Sequence, residues 1–334
     1  MSTATTVPER RELDRENPKD TVKAVGWGRT FKDSFTRWRG ADGTSHIRAF
    51  AHALVLAGIP ALITIIGVAS AFDFSGFRKI VESMLTGLSP GPSSRLLIEA
   101  LQQGSSAGTT ALIGGLVGAV VSGTFAMMAL ERAFNRIYGI QRDRSFGRRA
   151  LVGLVLALTS GVLLGLAFLL VAAGGALGDA LKTEFGWSDA SVIAFSVARW
   201  VLGLLLAFAA LTLLYRVSPN RKQPKWKWLQ SATFTATALW LATTGLLALY
   251  YSVNERMSQT YGPLLGLIAL LTWAYATGLA ITYGMALAAQ LEAVRSGAPG
   301  PRTDRRFSEL DPQRDGVSAE HVPPSVDLRE EQRA

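Results

Sequence analysis

The chain of 334 residues has no cysteine and only three histidines, and these absences exclude several kinds of site. Without cysteine the protein forms no disulfide and offers no thiolate to a metal. The histidines, His46, His52 and His321, do not form a metal-binding pair at helical spacing. No serine-nucleophile motif and no glycine-rich phosphate loop follows a predicted strand. We therefore predict that the protein is not an enzyme and has neither a metal site nor a cofactor.

Charged side chains are scarce in six long stretches, which are rich in apolar residues instead. Each stretch has about 20 residues or more, the length at which a helix crosses ~30 Å of hydrocarbon. We predict an all-α, polytopic membrane helix bundle whose six transmembrane helices lie within residues 46–295. The predicted helices cover residues 47–71, 109–130, 150–173, 191–214, 231–251 and 262–289.

Basic residues are concentrated on one side of these predicted helices. Of the 34 lysines and arginines, 28 lie in residues 1–48, 131–149, 215–230 and 293–334. Basic loops remain in the cytoplasm, so we predict a multi-pass protein of the inner (plasma) membrane with both termini cytoplasmic. The net charge of +9 then faces anionic lipid headgroups at the cytoplasmic face, and we favour these over nucleic acid as its partner.

Both ends of the chain are predicted to be disordered. Residues 1–21 and 296–334 are rich in Pro, Arg, Glu, Asp and Ser and show no apolar periodicity. Such segments cannot bury enough apolar surface to offset the entropy lost on ordering. We predict that both are disordered cytoplasmic tails.

Residues 22–45 form a separate segment before the first predicted span. Phe31, Phe35 and Trp38 recur there at i, i+4 and i+7, and basic residues that include Arg37 complement them. This pattern predicts an amphipathic helix that lies in the cytoplasmic membrane interface. The alternative is a solvated basic tail in which the aromatic residues are incidental.

The longest connection on the external side, residues 72–108, has an apolar stripe of its own. A second short helix is predicted to begin after Pro92 or Ser93. Together the two helices predict an external amphipathic helical hairpin, which either caps an internal cavity or covers the end of the bundle. The stripe of the first helix consists of Phe77, Ile80, Val81, Met84 and Leu85.

Small residues and one proline indicate how the spans pack. Pro60 lies centrally in the first span, where it removes a helix hydrogen bond, so we predict a kink or break there and a cavity beside it. GxxxG spacing allows helix backbones to approach closely, within one chain in preference to a dimer interface. The pairs are Gly114/Gly118, Gly161/Gly165, Gly174/Gly178 and Gly262/Gly266.

Two ionisable side chains inside the spans are candidate functional residues, because charge is costly in hydrocarbon. Arg199 meets an external acidic residue (Asp73, Glu184 or Asp189), binds an anionic substrate, or extends outward along Trp200 to the headgroups. His52 either relays protons or is a neutral packing residue, which we favour.

Polar residues at the cytoplasmic helix ends form a second candidate group. We predict that they make an ion-pair cluster that locks the helix ends, and a cytoplasmic gate is the less favoured alternative. The group consists of Glu131, Arg132, Asn135, Arg216 and Glu292.

Several segments resemble the YihY/BrkB family of bacterial inner-membrane proteins, formerly mislabelled as ribonuclease BN. The resemblance is clearest at LYRVSPNRKQPKW, where Tyr215, Arg216, Pro219 and Asn220 match the family's cytoplasmic loop. It continues in the first span, in ALERAFNRIYGI at the end of the second, and in the last span. In the last span many family members read like G-A-E-L-N-A, whereas this chain has Gly-Met-Ala-Leu-Ala-Ala from position 284. The carboxylate and the amide of that motif are therefore missing, which indicates a divergent subgroup.

The resemblance implies the membrane fold and suggests transport or lipid translocation, although the family has no firmly established activity. We expect a transporter or lipid-translocase-like protein for an anionic or amphipathic solute, with a cavity near Pro60 and Arg199. The alternative is a non-transporting membrane scaffold or interaction protein of the cell envelope. The identity of the solute or lipid and the oligomeric state stay open.

Overall fold

The computed structural model describes residues 3–9, 18–71, 92–253, 264–298 and 300–301. Within these ranges every regular element is a helix, and six helices are long and apolar enough to cross a membrane. This confirms the predicted all-α membrane bundle. The six segments are Gly43–Ile65, Leu112–Ile137, Phe146–Val171, Asp189–Val217, Trp226–Tyr251 and Leu267–Arg295.

The helices are numbered in chain order, and several are longer than the predicted spans. They are α1 (Pro18–Val25), α2 (Trp27–Gly40), α3 (Gly43–Ala71), α4 (Pro92–Ile137), α5 (Phe146–Leu156), α6 (Val162–Phe168), α7 (Gly174–Phe185), α8 (Asp189–Val217), α9 (Trp226–Val253) and α10 (Leu264–Arg295).

Helix α4 differs from the predicted hairpin. It begins at Pro92, as expected for the second short helix, but it continues without interruption to Ile137 and so includes the second span. Proline would interrupt the helix, and the sequence has none between Ser93 and Ile137. The first helix of the hairpin, predicted from Phe77 to Leu85, lies outside the described residues.

The third span consists of α5, the π-helical segment Ala157–Gly161, α6 and the start of a second π-helical segment, Leu169–Ala173; α7 follows directly after it. A π-helical turn is wider than an α-helical turn and is frequent at functional sites. The apolar pattern of residues 150–173 predicted a helix but gave no sign of these wide turns. The second of them contacts Arg199.

Pro60 lies inside an unbroken α3, where the sequence predicted a kink or a break. The hydroxyl of Thr64 donates to Pro60 O over 2.8 Å. Helix α4 packs directly against this turn, since a Cβ on Gly115 would lie 2.9 Å from Pro60 O and one on Gly118 would lie 3.0 Å from Pro60 Cβ. The glycines of α4 therefore close the space beside Pro60, where we had expected a cavity.

Helix α2 buries its polar side and exposes most of its aromatic side. Thr30, Ser34 and Arg37 are buried against the bundle, whereas Phe31 and Phe35 are exposed. The backbone turns sharply before α2 at Gly26, whose φ of 87° favours glycine. An exposed aromatic face is what an interfacial helix presents to lipid, and its position in a membrane remains a prediction.

Helices α9 and α10 approach so closely at Gly284 that alanine is expected to destabilise the fold. A Cβ there would lie 2.5 Å from Tyr215 Oη and 2.7 Å from Ala236 Cβ. We expect Gly284→Ala to lower the free energy of unfolding by about 1–3 kcal/mol through overpacking, measured by denaturation in detergent. The control is Gly245→Ala in α9, which meets nothing within 4 Å. An equal loss in both variants would contradict the close contact.

Candidate functional site

Residues 3–9 form an extended segment packed on one end of the bundle, which we call the basic end because the Lys/Arg-rich loops 138–145 and 218–225 meet there. Thr3 N donates to Gly40 O over 2.8 Å, and Val7 N donates to Tyr138 O over 3.1 Å. Gly139, with φ of 72°, has no side chain to hinder this approach. Residues 3–9 are thus ordered, whereas we predicted disorder for residues 1–21. They are held by hydrogen bonds to main-chain groups near helix ends, and such hydrogen bonds leave no apolar periodicity in the sequence.

Arg37 connects this segment to the bundle. Its guanidinium is fully buried and donates from Nε to Gln290 Oε1 (2.9 Å), from Nη1 to Thr5 O (2.8 Å) and from Nη2 to Thr5 Oγ1 (3.1 Å). Burial lowers the pKa of Arg37 to about 10, so the side chain is still charged at neutral pH. We had assigned Arg37 to the basic side of an interfacial helix, and its role as a buried donor was not predicted.

Glu292 lies at the centre of the basic end with no exposed surface. Its carboxylate accepts from Tyr138 Oη over 2.7 Å and pairs with Arg221 Nη2 over 3.1 Å. The Arg221 guanidinium also lies 4.3 Å from the centre of the Tyr138 ring. Burial raises the pKa of Tyr138 well above its usual value, so its hydroxyl stays neutral and donates. We call Arg37, Tyr138, Arg221, Gln223, Gln290 and Glu292 the basic-end cluster.

Glu131 and Asn135 join the two basic loops in a second group beside the cluster. Arg144 Nη1 donates to Glu131 Oε1 over 2.7 Å and to Ser218 O over 2.6 Å. Asn135 Oδ1 accepts from the main-chain N–H of Asn220 over 2.8 Å. The segment that carries the resemblance, around Pro219 and Asn220, is thus held by side chains from α4 and from the loop that follows it.

The structure brings together three of the five residues predicted for an ion-pair cluster. Glu131, Asn135 and Glu292 are buried at the basic end, but Arg132 and Arg216 are exposed and form no ion pair with any described residue. Successive helical residues point about 100° apart. Arg132 therefore points away from the bundle, and the carboxylates pair with loop arginines that we did not predict.

Tyr215 of the motif is a core residue. Its side chain is fully buried, its hydroxyl donates to Ile281 O over 2.7 Å, and its ring meets the edge of Phe134 at 5.6 Å between centroids. Within the last span, Ala286 and Ala288, which replace the family's Glu and Asn, are also buried in the core. Here small apolar residues pack where the family has polar groups.

Arg199 lies between α8 and the second π-helical segment. Its Nη1 donates to Leu170 O (3.2 Å) and to Val171 O (3.4 Å), and its guanidinium lies 5.6 Å from the Trp200 ring. Its Nε is buried and has no hydrogen-bond partner among the residues that the structure describes. A Cβ on Gly174 would lie 2.7 Å from Arg199 Cδ, so a larger residue there would force the Arg199 side chain to move.

Of the three external acidic residues that we considered for Arg199, Asp189 pairs with Lys182 at the surface. Asp73 and the side chain of Glu184 lie outside what the structure describes. Among the described residues, Arg199 has neutral main-chain acceptors as its hydrogen-bond partners.

The other intramembrane candidates are not next to Arg199. His52 is exposed on α3, and Pro60 packs against α4.

An open groove of about 390 Å³ between α4 and α5 is lined by apolar side chains that include Val121, Phe125 and Leu151. In the described part of the chain, no group of three or more His, Asp or Glu residues is placed to hold a metal.

Comparison with known proteins finds similarity to membrane proteins. A family model described as virulence factor BrkB matches residues 34–307. The ribonuclease-like protein YfkH of Bacillus subtilis is 26% identical over 254 residues, which cover 76% of this chain and 91% of that protein. A UPF0761 membrane protein of Ralstonia nicotianae is 27% identical over 245 residues, covering 73% of this chain and 54% of the relative.

A UPF0761 membrane protein of Stenotrophomonas maltophilia is 27% identical over 283 residues, which cover 84% of this chain and 64% of that protein. The chain thus spans about half to two thirds of the length of these two UPF0761 relatives. No solved structure matches.

Proposed function

Because this chain belongs to the virulence factor BrkB family of membrane proteins, we propose that it translocates an anionic amphiphile, such as a lipid with a negatively charged headgroup, across the membrane. The observation that supports the proposal is Arg199, a guanidinium inside the fourth span that is paired with main-chain carbonyls and has an unpartnered Nε.

The position of Arg199 inside the fourth span is energetically unfavourable unless hydrogen bonds or a counter-charge offset the cost. Arg199 lies ten residues after the start of α8 at Asp189, or about 15 Å along the helix at 1.5 Å per residue. A charged side chain inside hydrocarbon costs several kcal/mol and typically marks a substrate or ion pathway. A passing anionic headgroup offers the counter-charge that the carbonyls of Leu170 and Val171 do not.

The hydrogen bonds of Arg199 are made to a π-helical segment, whose conformation can change. Its carbonyls at Leu170 and Val171 accept from Arg199. A π-helical turn holds one more residue than an α-helical turn, so conversion between the two shifts the helix register by one residue. Such a shift re-aims these carbonyls and releases Arg199 for a ligand.

The apolar groove between α4 and α5 does not include Arg199, and its lining is compatible with an acyl chain. It is open toward the surface of the bundle, and its lining at Val121, Phe125 and Leu151 suits an acyl chain better than a hydrated ion. Gly115 and Gly118 pack directly against Pro60, so α4 fills one side of the space where we expect a cavity near Pro60 and Arg199.

The scaffold alternative needs free cationic side chains at the basic end. Arg144 and Arg221 are engaged inside the protein, whereas Arg132, Arg216 and Lys222 are exposed, so a scaffold stays the second candidate. We further propose that the protein lies in the inner membrane with its basic end in the cytoplasm, a placement that the distribution of Lys and Arg supports.

The proposal predicts that Arg199→Ala abolishes translocation while the protein remains folded. The purified protein is placed in vesicles with tail-labelled phosphatidylglycerol, and lipid that reaches the outer leaflet is measured by dithionite quenching. We expect the rate to fall at least about tenfold, since one charge-assisted contact contributes ~1.5–3 kcal/mol.

A matched variant and a neutral lipid serve as controls for this experiment. Lys182→Ala removes an exposed cation of the Lys182–Asp189 pair and is expected to leave the rate unchanged. Labelled phosphatidylcholine, which has no net charge, is expected to move slowly with either protein. A wild-type rate for Arg199→Ala with phosphatidylglycerol would overturn the proposed function.

A further inference from the structure

The basic-end cluster buries more positive than negative charge. Arg37 and Glu292 are fully buried, and the side chain of Arg221 is only 4% exposed. The two guanidinium groups face one carboxylate, and the neutral Tyr138 adds no charge. Among the described residues, the nearest other carboxylates are Asp33, which is partly exposed, and Glu9, which is exposed, so the cluster buries one more guanidinium than carboxylate. A buried charge without a buried counter-charge is unfavourable.

The cluster also contains hydrogen-bond donors that lack acceptors. In the part of the chain that the structure describes, Arg221 Nε, Arg221 Nη1 and Gln223 Nε2 are buried without an acceptor. The one buried acceptor of the cluster that lacks a hydrogen bond, Glu292 Oε2, lies 3.1 Å from Arg221 Nη2, so three donors there lack a partner and one acceptor does. Arg37, by contrast, donates from each of its three nitrogens. Buried N–H groups in native proteins nearly always have a partner, and each one left without an acceptor costs about as much as a lost hydrogen bond.

The unpartnered donors belong to one neighbourhood. Arg221 lies over the ring of Tyr138, and Gln223 Oε1 lies 3.2 Å from the hydroxyl of the same tyrosine. The missing charge and the missing acceptors thus occur around a single side chain. A water molecule would supply an acceptor but no charge, whereas an anion supplies both.

We propose that the basic-end cluster binds a small phosphate-type oxyanion, which accepts hydrogen bonds from Arg221 and Gln223. An oxyanion has several acceptor oxygens, which suits donors on two side chains, and arginine is the residue best adapted to phosphate. The anion comes either from free phosphate or from the headgroup of a phospholipid. This site is separate from Arg199 and does not depend on translocation.

Residues 3–9 lie next to this site. Glu9 Oε1 accepts from the main-chain N–H of Lys222, next to Arg221, and Thr5 accepts twice from Arg37. Opening of this segment would therefore expose the neighbourhood of Arg221.

The first test is the thermal stability of the full-length protein in lipid-free detergent as inorganic phosphate is added at constant ionic strength. A ligand that binds only the folded state raises Tm with its concentration. We expect a saturating rise of about 3 °C or more, and we expect Arg221→Gln to abolish it. Lys222→Gln is the matched control, because its contact uses the main chain and its side chain is exposed; it should respond like the wild type.

Gln223→Glu provides a second test that does not require Arg221→Gln to fold. The new carboxylate supplies a negative charge and acceptors where the anion is proposed. We expect this variant to be at least as stable as the wild type without phosphate and to gain nothing when phosphate is added. A wild-type phosphate response in Gln223→Glu would overturn the proposal.

Nanodiscs distinguish the two sources of the anion. If phosphatidylglycerol raises Tm relative to phosphatidylcholine in the wild type but not in Gln223→Glu, while free phosphate has no effect, the ligand is a lipid headgroup. If free phosphate alone acts, the ligand is the soluble ion. If neither phosphate nor phosphatidylglycerol stabilises the wild type more than Gln223→Glu, the cluster holds no anion and the inference is wrong.

Discussion

Replacing Glu292 with alanine is expected to lower the free energy of unfolding by about 3–5 kcal/mol, because it leaves one member of a buried ion pair without its partner. Arg221 loses its 3.1 Å contact with the carboxylate and is only 4% exposed, so water cannot replace it. Tyr138 loses a 2.7 Å acceptor as well. Denaturant titration in detergent, in phosphate-free buffer, measures the change.

The double variant Glu292→Ala/Arg221→Met separates charge burial from lost packing. With both charges removed, the destabilisation is expected to be smaller than that of Glu292→Ala alone, since apolar replacement of a whole buried pair is often close to neutral. Asp189→Asn, which breaks an exposed ion pair with Lys182, is the control and should change nothing measurable. Equal losses for the single and the double variant would show that the charge of Arg221 is not the cause.

The six spans could be predicted from the sequence because hydrocarbon imposes a simple requirement on the chain. A spanning helix must be about 20 residues long and largely free of charge, and both properties can be read directly from the sequence. The exact ends depend on local contacts. Helix α4 extends far beyond its predicted start at residue 109 because nothing in residues 94–108 stops a helix that begins at Pro92.

The polar contacts at the basic end could be predicted only in part. Glu131, Asn135 and Glu292 were identified because polar groups at span ends need partners. Their partners, Arg144 and Arg221, lie in irregular loops, where no periodicity indicates which side chain turns inward. Burial of a charged loop residue depends on the tertiary structure, and the sequence contains no local signal for it.

Arg199 illustrates the same limit inside the membrane. Its presence in an apolar span marked it as a candidate, but its acceptors are carbonyls of the π-helical segment Leu169–Ala173. Gly174 and Gly175 lie next to the Arg199 side chain, but glycines are too common in membrane helices for the sequence to identify this contact.

Replacing Arg37 with methionine is expected to release residues 3–9 from the basic end. Thr5 would lose two hydrogen bonds from a charged donor. Such bonds contribute ~1.5–3 kcal/mol each, so the population of the open segment should rise at least tenfold. Because the protein has no cysteine, a single thiol introduced by Ala4→Cys reports this opening through its rate of maleimide labelling.

The contrast between neighbouring positions makes this result specific. Ala4 is 5% exposed, whereas Thr6 is exposed. With Arg37 present, a thiol at position 4 should label slowly and one at position 6 quickly. With Arg37→Met, position 4 should approach the rate of position 6, and position 6 should not change. If position 4 labels equally fast with either residue at position 37, Arg37 does not hold the segment. Since the closed segment lies beside Arg221 and Gln223, faster opening should also speed the response to phosphate.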